Sequence, residues 1–336
     1  SFTFDSRVDY YIGFTDGSSY GGADYTINFG QRPFANDPPT GFEKLCSANL
    51  PDPTIKFPNK HFGTLLYSSG SSNGTFTFTD SDAVDFFPDW TWIKCRTAGE
   101  NHYVIDSVRG NQNITNTFLK PDESGNETGY GVHGTTVSSI QNGIKIVETS
   151  ITNPPGGEIY YENRDYVTWN WNAGDTDGKT YTVTVVDDSG NKYRFDGYGT
   201  SAVTLDLAEG GTYIFNYPSA HPFKFSTTSD GTHGGGSEYT TGVTHNSSTQ
   251  VTIVVAASAP QLYYYCASHS GMGGAVNTNS TLGSSNFDGS VQTTAKVNAT
   301  AGFSIVGYTG INGAGTIGHG LGVAPRAVII RRRDSA

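Results

Sequence analysis

The sequence has very little sulfur, with one methionine and three cysteines in 336 residues. Cys46, Cys95 and Cys266 lie far apart and are odd in number, which argues against a disulfide-stapled secreted domain and for synthesis in a reducing compartment. No run approaches the roughly 18 apolar residues of a membrane helix. No charged and apolar leader of the secretory type opens the chain either, so membrane insertion is not expected. Positive charge is scarce: 20 Lys and Arg against 31 Asp and Glu give a net charge of -11 and a pI near 5.0. That balance offers no general electrostatic reason to bind nucleic acid or an anionic membrane. The one basic run, Arg331-Arg332-Arg333, sits in the text VIIRRRDSA and reads as the exposed end of a strand. Leu and Lys are few, and the 43 glycines among many Thr, Ser, Asn and Tyr predict short strands joined by turns rather than helices. The expected fold class is all-β, as tandem β-sandwich modules.

The rare sulfur is not scattered. Cys266 and Met272, the only methionine, share the loop text LYYYCASHSGMGG with His269, in the spacing Cys-x2-His-x2-Met. A soft thiolate, an imidazole and a weak axial thioether are what a blue-copper site needs, and its missing equatorial ligand is normally a histidine on an earlier strand. His221, in Ala220-His221-Pro222-Phe223, is the candidate. Residues from about Lys179 to Val276 resemble a cupredoxin, with a loop similar to that of the short-loop amicyanins. The resemblance implies copper held by His221, Cys266 and His269 in the equatorial plane, with Met272 axial. The other reading of the same residues is a cupredoxin-like sandwich without metal, in which Cys266 is a buried small apolar residue and His269 makes an ordinary loop hydrogen bond. His233 and His245 flank Gly234-Gly235-Gly236 and read as solvated loop residues.

Along the chain an internal repeat appears. His61-Phe62-Gly63-Thr64-Leu65-Leu66-Tyr67 is followed, after a turn region, by Phe87-Pro88-Asp89-Trp90-Thr91-Trp92-Ile93-Lys94-Cys95-Arg96. Gly302-Phe303-Ser304-Ile305-Val306-Gly307-Tyr308 is followed by Ala324-Pro325-Arg326-Ala327-Val328-Ile329-Ile330-Arg331. Each copy pairs a strand ending in Tyr with a proline-led strand ending in basic residues. The alternation Tyr166 to Trp171 is a half-buried strand signal, and the face carrying Trp169 and Trp171 is expected to be core rather than a sugar platform. Further strands are predicted over 181–186, 192–195, 202–207, 212–217, 223–226 and 250–256. They are separated by corners such as Asp188-Ser189-Gly190, Glu209-Gly210-Gly211 and Ser229-Asp230-Gly231.

The first fifty residues, with Tyr25-Thr26-Ile27-Asn28-Phe29-Gly30 and Pro38-Pro39-Thr40-Gly41-Phe42, resemble the closing strands of a SPRY or concanavalin-like sandwich. The expected division is therefore 1–50, the end of that sandwich; 51–175, the first repeat copy; 176–280, the cupredoxin-like domain; and 281–336, the start of a second copy. Opening without methionine and ending just after an apolar run, the chain reads as a piece of something longer.

The order of NLPDPTIKFPNKHF, PDWTWIKCR, DSVRGNQ, YVTWNWNAG, FSIVGYTG and GTIGHGLGVAP resembles multidomain structural proteins of environmental tailed phages, over nearly the whole chain. The resemblance implies a noncatalytic virion protein, a tail fibre or appendage subunit synthesised in the bacterial host cytoplasm. It further implies homo-oligomers, contacts with other virion proteins and a host surface polymer as the partner; it assigns no receptor-binding residue.

Other motifs lack their context. Gly313-Ala314-Gly315-Thr316-Ile317-Gly318 fits a dinucleotide pattern, yet an apolar proline-led run follows it where a helix is required. Asp175-Thr176-Asp177-Gly178 does not continue into a calcium loop. No nucleophile elbow or pocketed carboxylate pair is evident, so no catalytic residue is expected.

Overall fold

The computed structural model describes residues 55–110, 117–125, 127–129, 136–148, 159–174 and 178–334, together with residues 33, 34, 37 and 39–41. The chain divides into two compact units, 1–56 and 57–336. The SPRY-like strands of the first unit lie outside the described residues.

The second unit is all-β, with only two short 3-10 turns, Pro58–Lys60 and Gly231–Gly234, in the described residues. Its first sandwich pairs strands Phe62–Ser68, Asp165–Trp171, Trp90–Cys95 and Tyr103–Asp106, in that order, in one sheet. A second sheet, Gly74–Thr79, Gly143–Glu148 and Thr136–Ile140, packs over it. Between them lies a core of Tyr67, Ile93, Tyr103, Tyr166, Ile144 and Ile146. Alternation along each strand aims every second residue at that core, which is the period-2 geometry of a pleated strand.

The alternation is as predicted, but the buried face is the other one. Tyr166, Thr168 and Asn170 point inward, while Trp169 and Trp171 are only half-buried. Polar groups can occupy the interior here because they are paired. Asn170 Oδ1 accepts from Thr91 Oγ1 at 3.0 Å, its Nδ2 donates to Thr168 Oγ1 at 2.8 Å, and Tyr166 Oη accepts from the Tyr161 N–H at 2.7 Å. All four tryptophans of the chain consequently share the outer face of one sheet, Trp90 opposite Trp171 and Trp92 opposite Trp169.

The second sandwich has a five-stranded sheet ordered Asn191–Phe195, Lys179–Asp187, Thr212–Asn216, Gln250–Val254 and Val243–Ser247. Opposite it lies a four-stranded sheet ordered Leu205–Asp206, Gly274–Asn277, Leu262–Cys266 and Phe223–Ser226. Both sheets are mixed: Lys179–Thr182 runs parallel to Tyr213–Asn216, and Leu205 to Val276. Aromatic rings fill the space between them, Phe215 stacking on Phe223 at 4.8 Å and Phe223 on Tyr264 at 5.3 Å. Aromatics carry much of the energy of such a core because each buries on the order of 150–250 Å².

A three-stranded sheet, Ser284–Asn286, Thr293–Asn298 and Phe303–Tyr308, joins the two sandwiches. On one side Phe287 enters the second core and Tyr181 Oη donates to the Ser285 carbonyl at 2.8 Å. On the other, Phe303 stacks on Trp171 at 5.8 Å. The repeated strands Phe62–Ser68 and Phe303–Tyr308 thus each lay their first phenylalanine against Trp171. The proline-led run of the second copy departs from expectation. Residues 324–332 form no strand, and Val328, Ile329 and Ile330 are exposed, whereas Trp90–Cys95 in the first copy has a neighbour on each edge. A strand needs a ladder partner, and none flanks this run among the described residues.

Candidate metal centre

His221 ends a turn, its N–H donating to the Pro218 carbonyl at 2.9 Å, two residues before the strand Phe223–Ser226. That strand runs antiparallel to Leu262–Cys266 with Phe223 opposite Cys266, and the Ala267 N–H extends the pairing to the Pro222 carbonyl at 2.9 Å. Ladder register therefore closes a separation of 45 residues and places His221 beside Cys266 at one end of the sandwich. His269 follows three residues later, where the chain leaves the strand and turns back.

The three side chains converge on one point. Cys266 Sγ lies 3.6 Å from His269 Nδ1 and 3.9 Å from His221 Nδ1, and the three ligand atoms all fall within 4.8 Å of one another. The two imidazoles sit 4.7 Å apart at 43°. Metal–sulfur bonds of about 2.3 Å and metal–nitrogen bonds of about 2.0–2.1 Å, opened to tetrahedral or trigonal angles, separate S and N by roughly 3.6–3.8 Å. The observed spacings bracket that span. Two imidazole nitrogens face this sulfur, a donor set of the kind a soft cation takes. Cys266 is completely buried, His221 half-buried and His269 exposed. Burial, and after it the neighbouring His269, pushes His221 below the ordinary imidazole value, which favours the neutral ring that ligates metal.

Met272 is completely buried in the same core as Cys266, and its carbonyl accepts the Tyr193 N–H at 3.0 Å. The structure thus gathers His221, Cys266 and His269 and sets Met272 in the adjoining core.

Several supporting residues escaped the sequence reading. Tyr193 donates its hydroxyl to the His221 carbonyl at 2.8 Å, so one buried residue ties the main chains of both His221 and Met272. Burial, then a hydrogen bond with Cys266 and the charge of that group, drives its phenol well above the usual value and keeps the hydroxyl a donor. His233 is exposed, as expected of a solvated residue, and its Nε2 also lies 3.0 Å from the Cys266 carbonyl with its ring edge-on to Tyr265. His245 is likewise exposed, on the strand Val243–Ser247 rather than in a loop, and pairs with Glu238 at 2.6 Å. Spacing could not have revealed the contacts of Tyr193 and His233, because they join residues 28 and 33 positions apart. Asp230-Gly231 alone left a trace, as a corner. Gly231 is required there, since a Cβ would come within 2.5 Å of the Tyr265 ring and its φ is +54°.

A family model, a domain of unknown function (DUF7483), matches residues 57–216 and 275–336. His221, Cys266, His269 and Met272 all fall between the two matched stretches. No curated protein and no solved structure matches the chain.

Proposed function

The chain belongs to the DUF7483 family of domains of unknown function, and from that premise we propose a noncatalytic, modular β-sandwich protein whose second sandwich binds one copper ion. His221, Cys266 and His269 are the equatorial ligands and Met272 the weak axial one. The convergence of three ligand atoms within 4.8 Å, with His221 brought across 45 positions to Cys266, carries this reading. Two imidazoles, one thiolate and one thioether suit copper in particular, because the soft sulfurs complement the imidazoles in the way a blue-copper site requires. Bound there, copper would supply a one-electron redox couple and would stabilise the folded module that alone assembles the site. The exposed edge of His269 favours electron exchange with a partner protein. Titration with Cu(II) should produce intense visible absorption at one equivalent, absent in Cys266→Ser. A colourless titration of the folded protein would remove the copper reading.

A second reading concerns where the module works. The repeated strands packed on Trp171 support a chain of stacked sandwiches. Such stacks present loops at a distance from a rigid scaffold. The protein is then a virion component of a tailed phage, a tail fibre or appendage subunit that associates with its own copies and with other virion proteins and touches a host surface polymer. High-resolution imaging of intact particles tests this. A symmetric appendage with this fold supports it, and particles lacking the chain leave a soluble copper protein.

A further inference from the structure

Resting on the copper reading, we propose that Asp230 and Lys192 are positioning residues that clamp Gly271 and so set how far Met272 reaches toward the ion. The loop between Cys266 and Met272 has no apolar anchor of its own. Ser268, His269, Ser270 and Gly271 are all exposed. Its hold comes from outside. The Gly271 N–H donates to Asp230 Oδ1 at 2.8 Å, and the Gly271 carbonyl accepts from Lys192 Nζ. The two side chains arrive from different places: Asp230 precedes the 3-10 turn Gly231–Gly234, and Lys192 lies on the strand Asn191–Phe195. Gly271 itself has φ of +70°, a conformation the clamp holds and glycine adopts without strain. One residue later, Tyr193 N–H fixes the Met272 carbonyl.

Three main-chain groups of Gly271 and Met272 are thus tied to elements that carry no ligand. An axial thioether bond is long and weak, so its length follows the scaffold rather than the metal, and groups outside the ligand set tune the site. His269 and Met272 stand on either side of the clamped residue. Loosening Gly271 frees the thioether while Cys266 stays locked in the ladder and His221 stays held by its turn and by the Tyr193 hydroxyl.

The test compares copper-loaded wild type with Asp230→Gly, Lys192→Met, Asp230→Asn and Met272→Leu. Glycine tolerates the φ of +57° at position 230, and asparagine keeps an oxygen acceptor there. Asp230→Gly and Lys192→Met should bind one equivalent of copper, with visible and paramagnetic-resonance spectra displaced from wild type toward those of Met272→Leu. Asp230→Asn should match wild type. Both loosened variants remaining at the wild-type spectrum would overturn the proposal, as would Met272→Leu being indistinguishable from wild type.

Hydrogen exchange of the Gly271 amide in the metal-free protein gives a readout independent of copper. It should quicken about tenfold in Asp230→Gly, as loss of one hydrogen bond implies. Unchanged exchange overturns the clamp. Faster exchange in a protein that takes up no copper overturns the ligation role together with the copper reading, and leaves a purely structural restraint.

Discussion

Lys296 Nζ lies 2.5 Å from Asp89 Oδ1 across 207 residues of sequence, both side chains almost wholly buried at 8% and 2% exposure. The other Asp89 oxygen accepts the Ala173 N–H at 2.8 Å, so this carboxylate is satisfied from two directions. It fastens the three-stranded sheet to the first sandwich. Removing one member of such a pair strands a charge in the interior, at a cost of about 3–5 kcal/mol. Lys296→Met should lower the denaturation midpoint accordingly. Asp89→Asn combined with it should recover much of the loss, because asparagine can still accept from Ala173.

Tyr193→Phe keeps the ring and deletes only the hydroxyl. The His221 carbonyl then loses its buried donor, at a cost of about 1–3 kcal/mol. Chemical unfolding of the metal-free protein measures it. Stability equal to wild type would mean that the hydroxyl does not restrain His221.

Glu238 gives a pH dependence with a definite sign. Burial raises its carboxyl, but hydrogen bonds from Lys224 at 2.5 Å and His245 at 2.6 Å, with their charges, outweigh that and hold it below the ordinary value of 4.5. A lowered folded-state value contributes stability that is complete above 4.5 and is lost as pH falls through the lowered value. Unfolding followed from pH 6 downward should therefore show a loss that Glu238→Gln lacks. The triad is partly exposed, with the Glu238 side chain at 24%, so the difference near neutrality should stay below about 1 kcal/mol.

The tryptophans supply a fourth measurement. With all four half-buried on one outer face, their emission should be red-shifted and quenched by acrylamide in the native protein. Cys266→Ser, in the other sandwich, should leave it unchanged. A blue-shifted, unquenched spectrum would place the indoles in a closed core.

What the sequence revealed followed period and register. Alternation located Tyr166 to Trp171 and the strand Phe223–Ser226, and rare sulfur located Cys266 and Met272. Period alone does not say which face turns inward. The decision rests on Asn170, whose cross-strand hydrogen bonds with Thr91 and Gly63 a linear text does not display, and which also donates to Thr168. Strands such as Val243–Ser247 and Gly274–Asn277 went unpredicted because short, polar or glycine-led strands carry little hydrophobic pattern. The predicted 202–207 strand shrank to Leu205–Asp206, held mainly by its pairing with Val276 and Asn277. At the candidate centre the ligand types were readable, while their supports on Lys192, Tyr193 and Asp230 depend on how loops fold back.

The joining sheet also limits how the molecule can be divided. A fragment cut after residue 280 would keep every candidate copper ligand, yet it would lose Phe287 from the aromatic core, the Ser285 carbonyl that accepts from Tyr181 and the Ser284 hydroxyl paired with Tyr213. The copper-binding sandwich therefore borrows its floor from the stretch that follows it, and trimming to the ligands alone would yield a leaky, protease-prone remnant.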